Sequence, residues 1–189
     1  MSGTRKLSQA LAEGDGISIL VEVADAASAR AAEQQGADAL VARAPVGGLA
    51  DATQLPLVVF GTEGAEGADA VVLAAGDEED SLAARVASIA AAGIECVLRV
   101  RDEGEVEAVL EALDPEIFLV GAEGAGDEQP ELDRMLELLS DIPAGKLAIA
   151  ALPAAGPVEV VELERAGFDA VLVRAADVRL LVGREPPDV

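Results

Sequence analysis

Eight short apolar runs, each bounded by Gly, Asp or Pro, constrain this chain more than any other feature. They are Ile17 to Val23, Ala39 to Arg43, Leu57 to Phe60, Ala70 to Ala74, Cys96 to Arg101, Ile117 to Val120, Leu147 to Ala151 and Ala170 to Arg174. Helical periodicity fills Ala26 to Gln35, Ser81 to Ala92, Glu105 to Leu113, Glu131 to Ser140 and Val158 to Ala166 between them. Alternating strand and helix is the pattern of parallel α/β architecture. A glycine followed by an apolar strand also recurs in similar wording. The copies are Gly36-Ala37-Asp38-Ala39-Leu40-Val41, Gly67-Ala68-Asp69-Ala70-Val71-Val72 and Gly167-Phe168-Asp169-Ala170-Val171-Leu172, with Gly93-Ile94-Glu95-Cys96-Val97-Leu98 a looser fourth. One copy is ordinary for an αβ loop, where glycine suits the helix C-cap. Three close copies favour a repeated βα unit.

Eight such units predict a compact (β/α)8 TIM barrel in one domain, 1–189, with 1–16 as an N-terminal cap segment and 184–189 as a C-terminal tail. The 189 residues fall below the roughly 200 at the lower end of that fold. The shortage is local, because the connections after strands 2 and 3 are too short for full helices. Those helices are expected to be reduced or missing, leaving outward apolar strand residues uncovered as a patch for weak homo-oligomerisation. An open doubly wound sheet is the competing architecture. It usually shows a Gly-rich turn after its first strand, and Val23-Ala24-Asp25-Ala26-Ala27 has no glycine.

With 36 acidic against 13 basic residues the net charge is −23, which repels phosphate backbones and anionic lipid. Neither nucleic acid nor membrane is expected as a partner. The chain has no His, so it lacks the side chain best suited to proton transfer near neutral pH and the commonest metal ligand. Aromatic residues make up 2 %, so the core must be built from Ala, Val, Leu and Ile. The lone Cys96 cannot form an internal disulfide. Arg5 and Lys6 are followed by no apolar targeting segment, since Glu13 and Asp15 interrupt it. A cytoplasmic location is expected. The acidic runs Asp77-Glu78-Glu79-Asp80 and Asp127-Glu128 suit the positive ends of helices and fit no metal-loop spacing; no metal and no cofactor is expected.

Barrel strands alternate side chains between the interior and the helices, and sites form at their C-terminal ends. Ile17, Ile19, Val21 and Val23 fall on the helix side, so Glu22 points into the barrel near its top. Cys96, Leu98 and Val100 face the helices, while Val97, Arg99 and Arg101 face inward. With Arg43 and Arg174 closing strands 2 and 8, four of the 13 basic residues gather at the predicted rim. Convergent guanidinium groups suit a phosphate or carboxylate. The competing explanation is an ionic network pairing these arginines with Glu22, Glu123 and Glu63. Cys96 has no His to act as its base and is read as packing, and Lys146 begins strand 7 at the bottom, where residues serve stability.

From Glu95 to Val182 the chain resembles the C-terminal half of indole-3-glycerol-phosphate synthase, a (β/α)8 lyase of tryptophan biosynthesis. Val97-Leu98-Arg99-Val100-Arg101-Asp102-Glu103, Glu131-Leu132 through Ile142-Pro143, and Leu163-Glu164-Arg165-Ala166-Gly167-Phe168-Asp169-Ala170-Val171-Leu172-Val173 carry the resemblance, with weaker similarity at Leu20-Val21-Glu22-Val23 and Gly36-Ala37-Asp38-Ala39. It implies a phosphate-binding barrel in which Glu22 is the one site residue retained. The family's first strand reads roughly Glu-Ile-Lys before a Ser-Pro-Ser loop, where this chain has Glu22-Val23-Ala24 and no such loop. The Arg-Lys-Asp of its third strand, with the general-acid lysine, falls on Val59-Phe60-Gly61. The fifth-strand Glu becomes Arg99, the sixth-strand Asn becomes Gly121, Ser-Glu-Ser-Gly becomes Ala150-Ala151-Leu152-Pro153, and Gly-Glu-Ser becomes Arg174-Ala175-Ala176.

Ring closure with loss of CO₂ and water needs a proton donor, and neither matched position supplies a lysine. The family's phosphate rests on glycine amides after strands 7 and 8, where Pro153 has no N–H to give. The expectation is a synthase-like barrel without synthase activity, a pseudoenzyme acting as a binding or structural module. The alternative is a phosphosugar- or carboxylate-binding enzyme with a rebuilt site, Glu22 acting as base and Arg43, Arg99, Arg101 or Arg174 clamping a small anion. An active synthase is its extreme form.

Overall fold

The computed structural model describes residues 6–14, 16–44, 46–63, 65–76, 79–121, 131–174 and 177–181. Eight parallel strands, β1 (Ser18–Glu22), β2 (Ala39–Ala42), β3 (Leu57–Phe60), β4 (Ala70–Ala74), β5 (Glu95–Val100), β6 (Ile117–Val120), β7 (Leu147–Ala151) and β8 (Ala170–Val173), pair in order and close β8 onto β1. The helices are α1 (Leu7–Ala12), α2 (Ala26–Gln34), α3 (Leu49–Ala52), α4 (Glu79–Ala91), α5 (Glu103–Ala112), α6 (Glu131–Leu139) and α7 (Pro157–Ala166), and a 3₁₀ turn spans Val178–Leu180. The expected (β/α)8 barrel is the fold. Strand ends differ by a residue: Arg43, Arg101 and Arg174 each stand one position beyond the strand expected to contain them. Helix α5 starts two residues before the expected Glu105 because the Asp102 carboxylate caps it, accepting from Glu105 N–H at 2.9 Å.

The alternation along the strands holds. Leu20, Val41, Val72, Val97, Leu119 and Leu172 fill the interior, while Ile19, Val21, Leu98 and Val100 pack toward the helices. The cap segment contributes α1, whose Leu7 and Leu11 join the interior cluster and close its lower end.

The repeated Gly-x-Asp wording has a physical basis. Each glycine takes a left-handed φ (95° at Gly36, 80° at Gly67, 105° at Gly167), and the residue after it is buried. The aspartate then grips the preceding strand at two points. Asp38 N–H donates to Ile19 C=O at 2.9 Å while its carboxylate accepts from Ile19 N–H at 2.8 Å. Asp69 does the same with Leu57 (2.8 and 2.9 Å) and Asp169 with Ala148 (2.9 and 2.8 Å). Partial burial pushes the Asp69 carboxyl above its ordinary range against the Leu57 hydrogen bond, and the nearby Glu95 charge adds to the rise. In the fourth copy Glu95 holds α1 instead: Ser8 N–H donates to Glu95 Oε2 at 3.2 Å and the Ser8 hydroxyl donates to Oε1.

The connection after β2 is reduced to the single turn of α3, and among the described residues no helix lies between β3 and β4. The outward strand residues are nevertheless not left open. Ala42, Leu57 and Val59 are buried, because Leu49 of α3 and Ala68 of the β3–β4 loop join them in one apolar cluster. The uncovered face on which self-association was expected is therefore replaced by a covered one. Of the two acidic runs, Asp127-Glu128 and the first two residues of the other lie outside the described residues, as does the 184–189 tail.

Candidate functional site

Closing the barrel brings together residues far apart in sequence. Strand β1 pairs with β2 on one side and β8 on the other, with Glu22 beside Val41 and Val21 beside Val173. The residues that follow β2 and β8 therefore flank Glu22 at the C-terminal rim. Arg43 Nε donates to Glu22 Oε2 at 2.8 Å, and Arg174 Nε donates to the same oxygen at 2.9 Å. The Arg43 guanidinium lies over the Phe60 ring, 4.7 Å from its centroid, a favourable cation–π geometry. Exposure rises from Glu22 (19 %) through Arg43 (30 %) to Arg174 (55 %), so the cluster runs from the barrel mouth outward. A cleft of about 430 Å³ opens over it, walled by these three side chains with Val23, Ala24 and Val46 among its lining.

Partial burial pushes the Glu22 carboxyl up, but the hydrogen bonds and charges of Arg43 and Arg174 outweigh it and hold the group below its ordinary value. A depressed carboxylate contributes stability that is complete above its unfolded value of 4.5 and is lost as pH falls through the lower folded value. The stability difference between wild type and Glu22→Gln is thus expected to be constant near neutrality and to shrink below that pH, as read by urea midpoints at successive pH values. A difference that grows on acidification would contradict the pairing.

The other expected site residues lie elsewhere on the rim. Arg101 pairs with Glu105 of α5, its Nε donating at 3.0 Å and its backbone N–H donating to Glu105 Oε2 at 2.8 Å. The early start of α5 brings that carboxylate within reach. Arg99 faces inward on β5, halfway round the ring from β1. Glu63 is exposed on the β3–β4 loop, and Glu123 lies outside the described residues. Lys146 pairs with Asp114 at 2.7 Å at the foot of the barrel. Burial pushes the helix-facing Cys96 thiol up to about 11, far from the thiolate a nucleophile needs. Among the described residues no three His, Cys, Asp or Glu side chains group to hold a metal, and no helix is long and apolar enough to cross a membrane.

Three N–H groups of the β7–α7 loop are used within the protein. Leu152 N–H goes to Leu172 C=O (3.1 Å), Ala155 N–H to Leu152 C=O (3.0 Å) and Gly156 N–H to the Glu159 carboxylate (3.0 Å), while Pro153 C=O accepts from Arg174 N–H (2.9 Å). A protein carboxylate thus caps the start of α7, where a phosphate would otherwise find N–H groups. Two features escaped the sequence reading: the Phe60 platform and the Glu159 cap. Phe60 shares the inward side of β3 with Val58, so alternation could have found it. Glu159 sits at the third position of a helix opening on Gly-Pro, a capping signal.

No family model and no curated protein matches the chain. Solved structures do. Thiamine phosphate pyrophosphorylase from Pyrococcus furiosus superposes with a TM-score of 0.65 at 18 % identity, over 86 % of this chain and 90 % of that one. N-acetylmannosamine-6-phosphate 2-epimerase from Clostridium perfringens gives 0.65 at 16 %, over 86 % and 87 %. A 2,3-dimethylmalate lyase of the PEP mutase/isocitrate lyase superfamily gives 0.65 at 16 %, over 89 % and 79 %. The shared feature is the TIM-barrel fold. At such identities a fold serves many chemistries, so function has to be argued from the site.

Proposed function

We propose that this chain is a TIM barrel of synthase-like ancestry that does not run the indole-3-glycerol-phosphate synthase reaction and binds a small anion, a phosphate ester or carboxylate, at the β8–β1–β2 rim. The convergence of Arg43 and Arg174 on Glu22 beside the 430 Å³ cleft carries the proposal. Two guanidinium groups converge there in a chain of net charge −23, and planar N–H forks suit phosphate and carboxylate oxygens. The internally bonded β7–α7 loop supports a shift of anion recognition away from the position that the synthase resemblance implies. Glu22, depressed and bonded to two cations, is a weak base and competes with a bound anion for the arginines.

The same contacts also support a purely structural ionic network, since both arginines use Nε on one carboxylate oxygen. Inorganic phosphate separates the two. A ligand that binds only the native state raises the melting temperature in a concentration-dependent way. Anion binding predicts such a rise with phosphate at constant ionic strength, absent with chloride. A melting temperature indifferent to phosphate leaves the network as the cluster's whole role.

A further inference from the structure

The charge on the helical layer is arranged against itself. If each of the 13 basic residues neutralised one acid, 36 − 13 = 23 carboxylates would still lack a cation. Helix α5 shows where such an excess sits. Its Val106 and Val109 are buried, which leaves Glu103, Glu107 and Glu111 at four-residue spacing along the exposed side, and the helix contains no Lys or Arg. Like charges at that spacing stand about 5–6 Å apart and destabilise a helix. Glu103 gains from the positive end of the helix dipole, but Glu111 lies in the last turn, at the negative end. Among the described residues α7 is the one helix with a base in its last turn, Arg165, so the usual cationic relief of helix C-termini is missing from the rest.

We infer that the native barrel is stabilised by concentrated monovalent salt, which screens the like charges of its helical layer and those of α5 above all. Folding fixes these carboxylates at short spacings, whereas the unfolded chain spreads them, so screening lowers the free energy of the native state more than that of the unfolded one. The range matches as well. The screening length falls from about 10 Å in 0.1 M salt to about 3 Å in 1 M, passing the spacing of neighbouring glutamates on α5. Salt also weakens attractive pairs, but Arg43 and Glu22 are partly buried and such pairs are screened much less than exposed charges. With 23 acids in excess, the repulsion that is relieved outweighs the attraction that is lost.

Thermal unfolding of the full chain at neutral pH, followed by circular dichroism in KCl from about 0.1 M to about 2 M, tests it. The melting temperature is expected to rise by at least about 10 °C across that range; a chain unfolded at the low end and folded at the high end is the limiting form of the same result. Two single variants trace the effect to the helix. Glu107→Lys turns both repulsions of the α5 ladder into attractions, and Glu111→Lys sets a cation in the last turn. Each is expected to melt a few degrees above wild type in dilute salt, with the advantage shrinking as KCl is added. A wild-type melting temperature that stays flat or falls with KCl overturns the inference. So does an advantage of both variants that is the same in dilute and concentrated salt, since salt would then act through apolar burial rather than through these charges.

Discussion

Arg43→Ala is expected to weaken phosphate binding by roughly ten- to a hundredfold, the range for losing a charge-assisted hydrogen bond of about 1.5–3 kcal/mol. Arg43 is the partly buried member of the pair, packed on Phe60 and bonded to Glu22, so a bound anion would meet it in the least hydrated part of the cleft. Arg174, 55 % exposed, competes more with water and is expected to show a smaller loss. Glu22→Gln separates binding from scaffolding, because removing a competing carboxylate raises phosphate affinity while lowering stability at neutral pH. Isothermal titration of the three variants, with urea denaturation in parallel, reads both quantities. Phosphate affinity unchanged in Arg43→Ala would assign the cluster to the scaffold alone.

Leu7→Ala is expected to cost about 2–5 kcal/mol, the range for truncating a fully buried leucine. Leu7 is 0 % exposed and belongs to the cluster that fills the barrel interior, so its truncation removes buried apolar contacts and leaves a cavity. Against a typical total of about 5–15 kcal/mol, that is a large share. The shift of the urea midpoint at unchanged slope measures it. A loss below about 1 kcal/mol would mean that α1 lies over the barrel without closing it.

Strand positions were legible because apolar runs of period two bounded by turn residues have few other readings. The direction of Glu22 followed from the same alternation, since Ile19 and Val21 could not both face a charged mouth. The arginines were harder. Position at a strand end brought Arg43 and Arg174 to Glu22 through the closure of β8 on β1, yet the same rule placed Arg101 in the group, and the local capping of α5 by Asp102 gave it Glu105 instead. The β2–β4 flank misled for a related reason. A missing helix suggested exposed strands, whereas a single turn and a short loop, with Leu49 and Ala68 inward, bury Leu57 and Val59. Pairing across a closed sheet can be read from periodicity; coverage by irregular segments depends on loop conformation, which a pattern of residue types does not encode.

The proposed synthase-like barrel is one without the synthase reaction. The most direct measurement is the synthase assay with carboxyphenylamino-deoxyribulose phosphate at high protein concentration, following the fluorescence of the indole product. A protein with no Trp and no Tyr adds almost no background at those wavelengths. No rate above buffer is predicted, because the proposed match sets Ala24 and Phe60 against the synthase lysines. A rate proportional to protein concentration and lost in Glu22→Gln would contradict the account and return Glu22 to a catalytic role.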